Sequence, residues 1–219
     1  MEKLINIKFV LLLSVFHKLK ALTILKPSPC FQMNSIHLIL SLATSFKWEV
    51  HKMDVKSTFL HGDLHEEIYM EQPTGFIQTN SSLVCQLKKS LYGLKQAPQA
   101  WYAKMDSFLL ETGFFRCHSD NSVYTKKVGK SLIIIVLYVD DLILTSSDTN
   151  LINHVKSSIK KKFEMKDLGN FHYFLSLQVL QSKEGISVSQ SKYACDIIRH
   201  FHMEDCKLAP SPFQSGAKL

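Results

Sequence analysis

The sequence predicts an α+β fold, an antiparallel sheet with helices on one face, and three observations predict it. Ser131 to Val139 (SLIIIVLYV) is a β-branched apolar run that stops at Asp140-Asp141 and resumes over Leu142 to Thr145. That reads as a hairpin buried on both faces. Amphipathic segments with helical spacing stand on either side of it. The element order along the chain is helix, strand, helix, hairpin, helix, hairpin, helix.

Asn34 and Ser35 can cap a first helix, whose apolar positions Ile36, Ile39, Leu40 and Ala43 recur at helical spacing. Trp48 to Val55 (WEVHKMDV) reads as a strand leading into Asp54. Thr74-Gly75 and Asn80-Ser81-Ser82 mark loops, with a short strand over Val84 to Leu87. Pro98 opens a helix through Trp101 to Glu111, and Gly113 sits at its C-cap. Asn150 to Phe163 is a helix with Leu151, Ile152, Val155, Ile159 and Phe163 inside and Lys156, Lys160, Lys161 and Lys162 outside. Phe171 to Leu180 and Ile186 to Ser189 form a hairpin around Gly185. Ser191 to Phe201 is a last helix before a Pro210-Ser211-Pro212 tail.

Composition excludes broad classes. The 219 residues are 46% hydrophobic and 21% charged, which argues against disorder, collagen and a disulfide-stapled miniprotein. Five cysteines (Cys30, Cys85, Cys117, Cys195, Cys206) without regular spacing predict a reduced, intracellular protein. Net charge is +7, but four of those charges come from the first 30 residues, so the rest is only mildly basic. Phe9 to Phe16 is an apolar run of 8 residues, short of the roughly 20 a membrane span needs. Lys18 and Lys20 stand where a signal peptide would carry small residues, so neither secretion nor membrane insertion is expected.

The chemistry centres on Tyr138-Val139-Asp140-Asp141. Two ionised carboxylates beside a buried sheet repel each other and need a compensating cation. Taken alone, Asp-Asp is also ordinary turn chemistry exposed to water. Asp54 tips the balance, because it too follows an apolar strand; if the strands are neighbours, the three acids converge. Oxygen-only ligands suit Mg²⁺ rather than zinc, and carboxylate-held metal pairs activate hydroxyls and stabilise leaving pyrophosphate. Cys195, His200, His202 and Cys206 lack the Cys-x₂-Cys spacing of a zinc site.

From about Met33 to Leu219 the chain resembles the reverse transcriptase of copia-type LTR retrotransposons. The matching stretches are MDVKSTFLHGDL, EEIYMEQPTGF, LKKSLYGLKQAPQAWY, LYVDDLIL, FEMKDLGNFHYFL and SQSKYACDIIRHFHMEDC, in the family's order. The resemblance implies a ferredoxin-like palm over residues 33–219, with the start of a following connection or thumb region, after a non-matching leader over 1–32. It implies RNA-directed DNA polymerase activity, with two Mg²⁺ ions (Mn²⁺ as a substitute), an RNA template, a DNA or RNA primer and deoxynucleoside triphosphates. No redox cofactor is implied, and the setting would be cytoplasmic or within a retroelement particle.

Position by position, the resemblance makes Asp54 and Asp140 metal-binding aspartates, with Asp141 the adjacent supporting acid. Phe59 would lie under the incoming sugar and leave no room for a 2′ hydroxyl, the group that separates RNA from DNA building blocks. Without the resemblance Phe59 reads as a core aromatic. The amides around Ser57 and Thr58 would approach the triphosphate. Tyr92, Gly93 and Lys95 would line the nucleotide pocket; on its own, Lys95 reads as an exposed loop lysine. Gly169 and Phe171 to Leu175 resemble the segment that supports the primer end. The family's fingers lysines and arginines have no counterpart, so the chain reads as a fragment. An alternative is a catalytically dead retroelement remnant, acting at most as a nucleic-acid-binding or assembly module.

Overall fold

Every residue from Ile133 to Leu137 is buried, so the strand they form has no solvent face and sits in the middle of a sheet. A computed structural model of the chain describes residues 33–77 and 83–207. The expected leader over 1–32, the Asn80-Ser81-Ser82 loop and the Pro210-Ser211-Pro212 tail lie outside the described residues. Two compact units divide the chain, Met1–Asn170 and Phe171–Leu219.

In the first unit the elements run α1 (Met33–Phe46), β1 (Val50–Val55), a 3₁₀ turn (Thr58–His61), β2 (Tyr69–Glu71), β3 (Val84–Gln86), α2 (Ala97–Glu111), β4 (Phe115–Arg116), β5 (Val123–Val128), β6 (Ser131–Tyr138), β7 (Asp141–Ser146), α3 (Thr149–Lys162) and β8 (Met165–Asn170). Six strands form an antiparallel sheet in the order β4-β5-β6-β7-β1-β8. β2 and β3 pair as a separate ribbon.

Period-two alternation sorts the strand residues. Met53 and Val55 of β1, Ile133, Ile135 and Leu137 of β6, and Leu142 and Leu144 of β7 share one core cluster with Trp101, Met105 and Leu109 of α2 and Ile152, Val155 and Ile159 of α3. Ile134, Val136 and Ile143, from the other parity, are buried too but belong to no part of that cluster. The protein therefore has mixed α/β content around an antiparallel sheet, as expected.

The buried residues of α1 are Ile36, Ile39, Leu40 and Ala43, the four that the spacing predicted. Pro98 stands in the first turn of α2, and Gly113 beyond its end has φ +85°, a conformation glycine adopts without a Cβ penalty. Four strands had no apolar alternation to announce them. β2 is short, β4 has two residues, β5 carries Lys126 and Lys127, and β8 (MKDLGN) mixes polar residues with Met165, Leu168 and a glycine. β8 pairs with β1 through a register shift between Lys52 and Met53, which Gly169 accommodates at φ +70°.

Lys156 departs from expectation. It was placed on the outer face of its helix, yet it is only 5% exposed. Its ammonium donates to His51 Nδ1 and to Asp167 Oδ1, each at 2.8 Å. Because a lysine ammonium only donates, Nδ1 is the accepting nitrogen, and Nε2–H faces Glu49 at 3.2 Å. Charge pairing in the interior, not amphipathic spacing, fixes this side chain.

The second unit holds β9 (Tyr173–Phe174), β10 (Leu177–Gln181), β11 (Ile186–Ser189) and α4 (Ser191–His200). Its sheet has the order β11-β10-β9 and buries Phe171, Phe174, Leu177 and Val179. The predicted hairpin around Gly185 is β10–β11. A turn with Leu175 at φ 46° splits the single strand expected over Phe171 to Leu180. No helix among the described residues is long and apolar enough to cross a membrane.

The Asp167 network gives a pH prediction. Burial would raise this carboxyl, but the hydrogen bonds from Lys156, the Gly169 amide and Lys160 outweigh it and hold the group at about 2, below the usual 3.8. A depressed folded value means the stabilisation is present above 3.8 and is lost as pH falls through about 2. In urea titrations across that window, wild type should lose more stability than Asp167→Asn; parallel losses would contradict the network's role.

Candidate active site

The β6–β7 hairpin closes through a two-residue loop, Val139-Asp140, with Tyr138 paired to Asp141. The sequence reading put the interruption at Asp140-Asp141; the structure moves it one residue upstream. Asp141 is thus the first strand residue of β7, because its backbone joins the ladder. Val139 has φ 47°, a left-handed conformation that costs a β-branched residue about 1–3 kcal/mol. Two bonds hold the turn in place. Trp101 Nε1 donates to the Val139 carbonyl from α2, and Val55 N donates to the Asp140 carbonyl at 2.8 Å.

β1 lies antiparallel beside β7, and the register sets Asp54 directly across from Asp141. Cross-strand partners share a face, so these two carboxylates stand on the side of the sheet opposite Met53 and Leu142. Asp140 is exposed in the turn. Burial pushes the Asp141 carboxyl up, the like charges of Asp140 and Asp54 push it further, and Lys52 opposes them. Lys52 sits two residues before Asp54 on the same face, and its Nζ is 2.8 Å from Asp141 Oδ2. This lysine was missed in the sequence reading, although its i, i+2 spacing from Asp54 was signal enough.

Beyond Asp54 the chain turns sharply. Ser57 has φ 53°, and Thr58 Oγ1 donates to the Val55 carbonyl at 2.9 Å, tying the 3₁₀ turn to the end of β1. The Phe59 ring lies 5.4 Å from that of Tyr92, tilted by 41°, and also packs against the core cluster. Ser90 Oγ donates to the Phe59 carbonyl, joining this turn to the loop before α2. Between them opens a cavity of about 420 Å³ lined by Ser57, Thr58, Phe59, Tyr92, Val139 and Asp140, with Val55, Leu60, Leu91 and Tyr138 completing its wall.

The structure therefore brings Ser57, Thr58, Phe59, Tyr92 and Asp140 to one cavity. Asp54 and Asp141 are tied to it through the Val55 and Asp140 backbone but are not among its lining residues. Gly93, at φ +97°, follows Tyr92 in its turn, and Lys95 is exposed; neither lines the cavity. Gly169 lies across from Lys52 in β8, while Phe171 and Phe174 are buried in the second unit.

For a divalent cation the donor chemistry fits: oxygen is the only donor type among the three carboxylates, and the like charges of Asp140 and Asp54 help to push the Asp141 carboxyl up. The side chains are not gathered into a ready cluster. Among the described residues no three acid, histidine or cysteine groups stand close enough to hold a metal ion. Asp141 is turned to Lys52 instead.

A family model described as reverse transcriptase (RNA-dependent DNA polymerase) matches residues 17–215. The chain belongs to the reverse transcriptase family. A retrovirus-related Pol polyprotein from transposon TNT 1-94 of Nicotiana tabacum is 43% identical over 196 residues, 88% of this chain and 15% of the relative. The Pol polyproteins from transposons RE1 and RE2 of Arabidopsis thaliana are 37% and 36% identical, each over 88% of the chain and over 14% and 13% of their own lengths. These are copia-type Pol polyproteins, and the chain corresponds to their reverse transcriptase domain. It spans under a sixth of each of these relatives.

The left-handed Val139 yields a stability prediction for this reverse transcriptase domain. Val139 is 43% exposed, so replacing it forfeits little buried area. Asparagine tolerates the left-handed region, and Val139→Asn should raise unfolding stability by about 1 kcal/mol. Val139→Ile, which keeps the branched Cβ, should gain nothing in the same urea titration.

Proposed function

We propose that this chain forms the ferredoxin-like palm of an RNA-directed DNA polymerase that adds deoxynucleotides to a primer 3′ end. One observation carries the reading: the register that sets Asp54 across from Asp141, beside a cavity that Asp140 and Phe59 line. Membership in a family described as RNA-dependent DNA polymerase supports it. The oxygen-only donor set suits Mg²⁺, with Mn²⁺ able to replace it.

Asp54 and Asp140 are the residues to hold divalent ions, with Asp141 in support. When bound, such ions supply charge neutralisation at the attacking hydroxyl and the leaving pyrophosphate. The rest is positioning by the chain itself. The turn at Ser57 and Thr58 offers backbone amides to a triphosphate at the cavity wall. Phe59, braced by Tyr92 and by the core, presents a ring to the sugar and fills the space a 2′ hydroxyl would need. Tyr92 faces the nucleotide, while Gly93 and Lys95, off the cavity wall, serve the template side, where Lys95 meets a backbone phosphate as a point charge. Residues 33–219 would make up the palm and the start of the next region.

Primer extension on an RNA template tests this reading. Asp140→Asn should lower deoxynucleotide incorporation by at least about 10²-fold, the scale of losing one preorganised charge-stabilising contact. Equal incorporation by both proteins would sink it. In the same assay Phe59→Val should raise ribonucleotide relative to deoxynucleotide incorporation by on the order of 10-fold, the scale of opening a pocket by a few carbons. An unchanged ratio would remove Phe59 from sugar selection.

A further inference from the structure

Asp54 and Asp141 share their face of the sheet with Lys52, and Asp140 stands in the adjoining turn. The Lys52 and Asp141 side chains are 14% and 16% exposed, and the contact between them is 2.8 Å. We propose that Lys52 is a positioning residue of this centre: its ammonium keeps the Asp141 carboxylate as its own counter-ion and leaves Asp54 and Asp140 as the pair open to a divalent cation. The inference rests on the reading of these acids as a metal centre.

The geometry favours a fixed partnership over a passing surface contact. In the β1–β7 register Lys52 stands across from Ile143 and Asp54 across from Asp141, so Lys52 reaches Asp141 along the diagonal of the ladder. The neighbours are unlike. Lys166 of β8 is in register with Asp54 but exposed, so water screens its charge. Asp140 is exposed at the turn and contributes its carbonyl, not its carboxylate, to holding β1.

With Lys52 in place, the four charged groups sum to −2, which one divalent ion neutralises. Without it they sum to −3, with a third carboxylate released toward the cation. Lys52 thus lowers the resting affinity of the centre for metal and fixes which oxygens the metal meets.

Mg²⁺ titration of the full chain, followed by the side-chain carboxyl ¹³C signals of its aspartates, tests this; single Asp→Asn variants assign the three signals. In wild type the Asp54 and Asp140 signals should move with Mg²⁺ while that of Asp141 stays. In Lys52→Gln all three should move, and affinity should tighten about tenfold, the scale of removing one like charge at close range in a partly screened site. Lys52→Arg, which keeps the pair, should behave as wild type, and Lys166→Gln should leave the Asp141 signal still. An Asp141 signal that moves with the other two in wild type would overturn the inference, as would unchanged or weaker binding in Lys52→Gln. If none of the three signals responds to Mg²⁺, the metal reading itself falls.

Discussion

The antiparallel pairing of β1 with β7 is the constraint on which the proposed site depends. It brings Asp54 and Asp141, 87 residues apart in sequence, to facing positions in one ladder. Strand side chains alternate with period two, so a slip of one residue would send one carboxylate into the cluster of Met53, Leu142 and Trp101. The apolar parity of β1 and β7 opposes such a slip at every buried position. The sheet's core thus specifies the register, and the register specifies the acid pair.

Legibility followed the strength of local pattern. The first helix was read down to its four buried residues, because only a 3.6-residue period explains Ile36, Ile39, Leu40 and Ala43. The β6–β7 hairpin was readable from its unbroken apolarity. β5 and β8 were not, because their sequences are polar or mixed and they become strands through the partners they meet. Lys156 misled for a related reason. Helical spacing assigns a face but cannot see that His51 and Asp167, from two other elements, wait there for a cation.

At the site, the residues themselves gave only an Asp-Asp pair and a third acid after a strand. The resemblance supplied Ser57, Thr58, Phe59 and Tyr92, and the geometry collects those four with Asp140 at one cavity. Gly93 and Lys95 came from the same motif but stand off that wall, since the chain turns away after Tyr92 toward α2. The one-residue displacement of the turn was invisible beforehand: Asp is common both in turns and at strand ends, and only the two-residue loop closure distinguishes them.

The centre is costly to maintain, and the costs are of different kinds. Val139 is held in a left-handed conformation, burial and two like charges push the Asp141 carboxyl up, and Phe59 is only partly withdrawn into the core. Each is countered by a named contact reaching in from a rigid element: Trp101 from α2, Lys52 from β1, and Tyr92 with Ser90 from the loop before α2. Those supports are anchored where the packing is densest, since Trp101 is 1% exposed and Met53 and Val55 flank Asp54 from the buried side. A fold that spent the same side chains on a neutral hairpin would be more stable. Strain and repulsion thus concentrate at one turn and are opposed by contacts from three directions, which is what the proposed site for a highly charged ligand requires.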